Sequence, residues 1–302
     1  MSAGGPTLEW FGCSTFRVRA AGRTLFFDTY LDKVPGTPDV GLRSQDVDQA
    51  DFVFVSHAHF DHLLGADTIA CATGSTVVAS HESCRVLRKN GVPDEQMLPV
   101  SGGETIDCGA GVRVRVFPSL HSCLFAASTP DSGAACLGDL GVPLQARRAR
   151  VGELFEALPV LVPEAAEYLG AAEPRVSRED GGQLTYLLET PEGSMLVSAS
   201  SGYWSGILGS LQPDVAVLAL AGRPNVDGEP FQGSLADYLE GQVELLRPRR
   251  VVLCHHDVLL PGVLPAVDTA EAEARVARNG GGAAVVRLEY STAVPILRAA
   301  AL

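Results

Sequence analysis

The stretch Asp51-Phe52-Val53-Phe54-Val55-Ser56-His57-Ala58-His59-Phe60-Asp61-His62 runs from a short apolar segment straight into three of the chain's seven histidines and a carboxylate. A continuous apolar run of this length, bounded by polar residues, reads as a buried strand, so the histidines stand at its C-terminal end. Extended backbone sends His57 and His59 to the same side, and a turn into a following helix folds Asp61 and His62 back beside them. Imidazole nitrogens and a carboxylate are the donors that Zn, Mn and Fe accept at an open catalytic site, and these four residues leave room for two ions. A lone histidine is ordinarily a hydrogen-bonded core or surface group, which is the reading for His81 in the helix-like run 80–90. Four polar groups converging on a buried strand end need a common partner to offset their desolvation.

Working outward, the rest of the chain supplies more strand ends. Residues 7–11, 14–20 and 23–27 read as a meander of strands, the last ending in Asp28, and 31–49 as a polar loop over the site. After the histidines, 63–71 reads as a helix, 76–79 as a strand and 80–90 as a second helix, with Ser80 as N-cap and Gly91 as its stop. The alternating run Val112-Arg113-Val114-Arg115-Val116-Phe117 predicts a strand with one wet face, delivering His121 just past its end. Prolines at 159, 163 and 174 break the helical character of 151–158 and 163–169, so 123–181 reads as an inserted, lid-like segment. The strand pattern then resumes over 183–189, 195–198 and 215–220, followed by a helix bearing Leu235, Leu239, Val243 and Leu246. The strand 250–254 leads into His255-His256-Asp257, and 283–290 reads as an outer strand of the second sheet.

The chain has 302 residues, 46% of them hydrophobic, which allows a large core in one big domain or two modest ones. A net charge of −13 argues against nucleic acid or an anionic membrane as the main partner. The one basic run, Arg147-Arg148-Ala149-Arg150, reads as a solvated helix face or an anchor for a substrate anion. The start Met1-Ser2-Ala3-Gly4-Gly5-Pro6 has no basic or apolar leader character, and no run approaches 18 apolar residues, so a cytoplasmic protein without membrane insertion is expected. Seven scattered cysteines (13, 71, 84, 108, 123, 136 and 254) without a Cys-x-x-Cys pair read as reduced thiols acting as small hydrophobes; Cys254 is set apart by its neighbour His255.

The His57-x-His59-x-Asp61-His62 pattern after a strand resembles the signature of the metallo-β-lactamase superfamily, and more narrowly its ascorbate-6-phosphate lactonase-like and N-acyl-phosphatidylethanolamine phospholipase-like branch. The resemblance covers nearly the whole chain. It implies an α/β, four-layer αββα sandwich in one domain over 1–302, with 123–181 inserted between halves 1–122 and 182–302. It also implies that His121 is the third histidine ligand, His255 the last one, and Asp28 a carboxylate that orients the metal loop. One residue departs from the pattern: where such proteins carry Gly-Asp-Thr-Gly with a metal-bridging aspartate, this chain has Ala199-Ser200-Ser201-Gly202. Ser200 takes the aspartate's place, unless Asp139 in Leu137-Gly138-Asp139-Leu140-Gly141 is the bridge instead.

The resemblance implies one or two divalent cations, zinc first with manganese or iron as alternatives. His57, His59 and His121 would hold one, and Asp61, His62 and His255 the other. The expected chemistry is attack of a metal-activated hydroxide on a lactone, ester, amide or phosphoester of a small molecule, with Asp61 and His255 as catalytic residues. A neutral serine at position 200 predicts a looser second cation. Two other readings are weighed: a non-hydrolytic iron enzyme on the same fold, and a binding or carrier protein with a degenerate site. A homo-oligomer is compatible with all three.

Overall fold

In the strand Val215–Ala219 every residue is buried, because both faces of its sheet are covered. Side chains alternate with period two, so Val215, Val217 and Ala219 enter one core while Ala216 and Leu218 enter another. The first core lies between two sheets, where these residues meet Leu8, Phe16, Phe27, Phe54 and Val78. The second lies beneath the helix Leu235–Leu246, with Tyr238, Leu239 and Val243 pointing inward. A third core, with Val53, Val55, Val77 and Ala79, is covered by Ile69, Ala70 and Leu87 of the helices Ala66–Thr73 and His81–Lys89. Helix, sheet, sheet, helix is therefore the layer order, the αββα sandwich expected. These relations come from a computed structural model that describes residues 5–126 and 134–297; the first four residues and part of the 123–181 segment, 127–133, lie outside the described residues.

The first sheet runs Val294–Pro295, Thr7–Trp10, Phe16–Ala20, Arg23–Phe27, Phe52–Phe54, Thr76–Ser80, Met97–Val100. The second runs Ala284–Val285, Arg250–Cys254, Val215–Ala219, Gly193–Ser198, Leu184–Thr190, Val112–Pro118, Thr105–Gly109. In each, a block of antiparallel strands passes into parallel ones, beginning at Arg23–Phe27 against Phe52–Phe54 and at Gly193–Ser198 against Val215–Ala219. Parallel strands end on the same edge, and it is at such carboxyl ends that open α/β sheets bind ligands. There the sheets are tied together: Leu184 N–H donates to Ser56 O at 2.9 Å, and the Tyr186 hydroxyl crosses to Val55 O at 2.7 Å.

Several expectations need correction. The hairpin 105–118 belongs to the second sheet, so the division into halves 1–122 and 182–302 does not follow the sheets. The expected helix over 63–71 is two pieces, Phe60–Leu63 and Ala66–Thr73, parted at Gly65 (φ 98°), where a Cβ would meet Thr29 O at 2.7 Å. Pro159 does not break its helix, which runs Leu144–Leu161; the proline sits in the last turn. The 283–290 strand shrinks to Ala284–Val285, and Val294–Pro295 crosses over to pair with Thr7 and Leu8. Ser80 does cap the helix His81–Lys89, its Oγ accepting from Ser83 N–H at 3.2 Å.

Within the inserted segment, Leu144–Leu161 and Pro163–Ala172 form two helices. Val162 and Ala165, with Leu158, Tyr168 and Leu169, pack against Tyr30, Val34, Phe60 and Leu260. The Tyr168 hydroxyl donates to Asp32 O, and Ser177 N–H to Ala58 O at 3.0 Å, while Ala58 N–H donates to Asp180 O at 2.9 Å. The segment's C-terminal limb is thus bonded to the backbone between His57 and His59. The basic run nearby is already engaged: Arg147 pairs with Glu229 at 3.1 Å and Arg150 with Asp139 at 2.8 Å.

Candidate metal centre

Two groups of donors gather where the strands end. His57, His59 and His121 form one; Asp61, His62 and His255 form the other together with Cys13. Within each group the donor atoms all lie within 4.8 Å of one another. The groups adjoin through His57 and His62, whose ring centroids are 3.9 Å apart. Four of these side chains come from one turn because the strand Phe52–Phe54 feeds directly into the helical turn Phe60–Leu63. His121 and His255 are brought by the strands Val112–Pro118 and Arg250–Cys254 of the other sheet.

Hydrogen bonds turn the imidazoles toward a shared space. Asp28, at φ 51°, accepts Ser56 N–H on Oδ1 (2.7 Å) and both Ser56 Oγ–H (2.9 Å) and His62 Nδ1–H (2.6 Å) on Oδ2. With its proton given to Asp28, Ser56 Oγ accepts from His57 Nδ1 at 3.0 Å. His121 Nδ1 donates to Ser122 O at 2.9 Å. The other ring nitrogen of His57 and of His121 therefore carries a lone pair into the site, and that of His62 is aimed at the same space. Nε2 of His57 is buried with no hydrogen-bond partner among the described residues, Nε2 of His62 has Asp61 Oδ2 at 3.2 Å, and His59 Nδ1 faces His121 Nε2 at 3.1 Å. Bare nitrogens buried side by side at no gain are what a cation would satisfy, and the donors present fit one.

The two groups differ in charge. Burial, with His62, His121 and His59 nearby, pushes His57 well down; burial also lowers His59 and, with His59 beside it, takes His121 to about 3. These three imidazoles are neutral donors. In the other group, burial acts against charge but loses to it: Asp61 and Asp28 hold His62 at about 10, and Cys13 and Asp61 raise His255 well above its ordinary value. Asp61 is itself held well below the usual carboxylate range, burial being outweighed by His62 and His255.

All six residues expected to hold metal, His57, His59, Asp61, His62, His121 and His255, stand in the two groups, and Asp28 stands behind His62. Ser200 follows the strand Gly193–Ser198, and its Oγ accepts Ser122 N–H at 3.3 Å, one residue from His121. Asp139 is in neither group; it pairs with Arg150 on the inserted segment. The residue that sequence reasoning overlooked is Cys13, whose Sγ lies 3.8 Å from Asp61 Oδ2. Its signal was position: it follows the strand Thr7–Trp10 by a turn, as His57, His121 and His255 each follow a strand. Cys254, set apart for its neighbour, is buried in the core between the sheets.

Residues 23–138 match the family described as "Beta-lactamase superfamily domain". A UPF0173 metal-dependent hydrolase of Pyrobaculum calidifontis is 32% identical over 164 residues, 52% of this chain and 70% of that protein. Among solved structures, Igni18, a metallo hydrolase from Ignicoccus hospitalis, superposes with a TM-score of 0.61 at 19% identity, over 96% of this chain and 97% of its own. CmlA, a diiron β-hydroxylase from Streptomyces venezuelae, gives 0.59 at 18%, over 98% of this chain and 55% of that one. At such identities the solved structures speak for the fold alone.

Proposed function

From the premise that this chain belongs to the metallo-β-lactamase superfamily and is a metal-dependent hydrolase, we propose that it opens a lactone, ester, amide or phosphoester bond of a small molecule at a two-cation centre. His57, His59 and His121 would hold one cation, and Asp61, His62 and His255 the other. The observation that carries this is the buried Nε2 of His57, unpartnered among the described residues, beside a second donor group in which His62 Nε2 and His255 Nε2 both converge on Asp61 Oδ2. The lactonase-like and phospholipase-like branch is our finer reading, and it rests on the His57-to-His62 pattern with Ser200 as its departure.

Bound divalent cations supply Lewis-acid polarisation of an acyl or phosphoryl oxygen and bring the pKa of water toward neutrality. The chain's own residues then divide the remaining work. The three neutral imidazoles keep positive charge from being cancelled at the first position. Asp61, whose Oδ2 lies 3.2 Å from both His62 Nε2 and His255 Nε2 and faces the second cation position, would pass a proton from the attacking water to the leaving group through its other carboxylate oxygen. Phe60 and the helices Leu144–Leu161 and Pro163–Ala172 cover this turn and limit water.

Metal analysis of protein purified without added metal, together with a panel of lactones, esters, amides and phosphoesters, tests the reading. Zinc or manganese with turnover on one substrate class is expected. Iron without hydrolysis on any class would move the chain to oxidative chemistry, and no metal at all would make it a carrier.

A further inference from the structure

We infer that Cys13 is a metal ligand: its Sγ joins Asp61, His62 and His255 in a four-donor site that selects a thiophilic cation such as Zn(II). The inference rests on the proposed second cation position and adds to it a donor from a different part of the chain.

The three edges from Asp61 Oδ2 match a tetrahedron, and the four donor atoms all lie within 4.8 Å of one another. With Zn–N and Zn–O near 2.0–2.2 Å and Zn–S near 2.3 Å, tetrahedral edges are about 3.3 Å between nitrogen and oxygen donors and about 3.6 Å from sulfur to either. Asp61 Oδ2 lies 3.2 Å from His62 Nε2, 3.2 Å from His255 Nε2 and 3.8 Å from Cys13 Sγ. A second sign is His62 Nε2, on a side chain 1% exposed, which points into this space and, among the described residues, has no neighbour to satisfy it other than Asp61 Oδ2 at 3.2 Å, itself one of the four donors.

The turn that presents the sulfur is held from all sides. Cys13 adopts φ 48° after Gly12 at φ 78°, a conformation uncommon for a residue with a Cβ. Its N–H donates to both oxygens of Asp257 at 2.9 and 3.0 Å, and its carbonyl accepts from Trp10 Nε1 at 3.0 Å and His255 N–H at 2.9 Å. Cys13 and His255 are therefore joined through backbone, and Asp257, two residues on, fixes the pair. A buried cysteine acting only as a small hydrophobe has no need of this restraint. As a thiolate it also adds a negative donor to a centre in which Ser200 is neutral, and sulfur narrows the choice of metal away from oxygen-seeking ions.

The test uses the full chain stripped of metal and reloaded with Co(II), which shows thiolate-to-cobalt charge-transfer absorption only when sulfur coordinates. The band is expected in the wild type and in Cys254→Ala, and is expected to vanish in Cys13→Ala and Cys13→Ser with loss of one cobalt per chain. Zinc-edge X-ray absorption of the unaltered protein provides a variant-free reading: one sulfur neighbour at about 2.3 Å. Cobalt bound to the wild type without the band and without a sulfur neighbour overturns the role of Cys13 while leaving the two-cation reading intact. Retention of the band in a folded Cys13→Ala protein does the same. A wild type that binds neither cobalt nor zinc overturns both.

Discussion

His62 Nδ1 and Asp28 Oδ2 are 2.6 Å apart at a site where both side chains are 1% exposed. The carboxylate cannot reach a cation through that oxygen while it holds His62 and Ser56; it acts by fixing which nitrogen of His62 faces inward. Carboxylates behind metal histidines commonly contribute ~10–100-fold to metal affinity or activity. Asp28→Ala should therefore weaken binding of the second cation by about that factor, read by competition with a chromogenic chelator. Unchanged affinity would mean that His62 is not a ligand.

His59→Ala removes one nitrogen of the all-histidine group and leaves the other group complete. Metal content should fall by one atom per chain, with loss of turnover, while the second cation stays. Full metal content in this variant would remove His59 from the centre.

Ser200→Asp places a carboxylate beside Ser122 and His121. If position 200 lies between the cations, affinity for the weaker cation should rise on the order of tenfold, as a charged donor replaces a neutral one. Asp139→Ala is the control: it removes the partner of Arg150 and should leave metal content unchanged. The reverse pattern would make Asp139 the bridging residue.

The segment 123–181 should behave as a cover over the site. Ala165→Asp puts a carboxylate among Tyr30, Val34 and Leu260, which should loosen the helices Leu144–Leu161 and Pro163–Ala172 and speed tryptic cleavage at Arg147, Arg148 and Arg150 several-fold. A product analogue should slow that cleavage in the wild type. Faster cutting elsewhere, with no ligand effect, would count against a cover.

Glu9 provides a pH dependence away from the metals. Burial raises its pKa, but Arg17 at 2.6 Å and Arg19 at 2.5 Å outweigh burial and leave it lowered. A depressed carboxylate contributes stability above its unfolded value, near 4.3, and loses it as pH falls through the folded one. Glu9→Gln should cost on the order of 2 kcal/mol at pH 7, measured by urea unfolding, and the gap from wild type should close below about pH 4. A gap independent of pH would assign the loss to packing.

The sequence showed most of the site because most of it is local. His57 through His62 lie within one strand end and one helical turn, where period two and the first turn of a helix place side chains almost without reference to the rest of the chain. His121 and His255 were legible for the same reason, each following its own apolar strand. Cys13 was not, since its partners Asp61 and His255 are 48 and 242 positions away and only the docking of the two sheets joins them. The assignment of the 105–118 hairpin to the second sheet has the same cause: an alternating strand declares which of its faces is wet, not which sheet it joins. Pro159 misled in a different way, because a proline in the last turn of a helix removes little of the hydrogen-bond ladder.

The backbone bonds from Leu184 to Ser56 and from His255 to Cys13, with the Tyr186 hydroxyl on Val55 O, tie the two sheets at the site edge. Each donor group draws ligands from both sheets: His57 and His59 face His121 across the seam, and Asp61 and His62 face His255. Cations held there would act as cross-links that exist only in the folded chain. Native stability would then be a function of free metal concentration, increasing as RT ln(1 + [M]/Kd) for each site, and the same atoms that supply the chemistry would also set how firmly the sandwich stays closed.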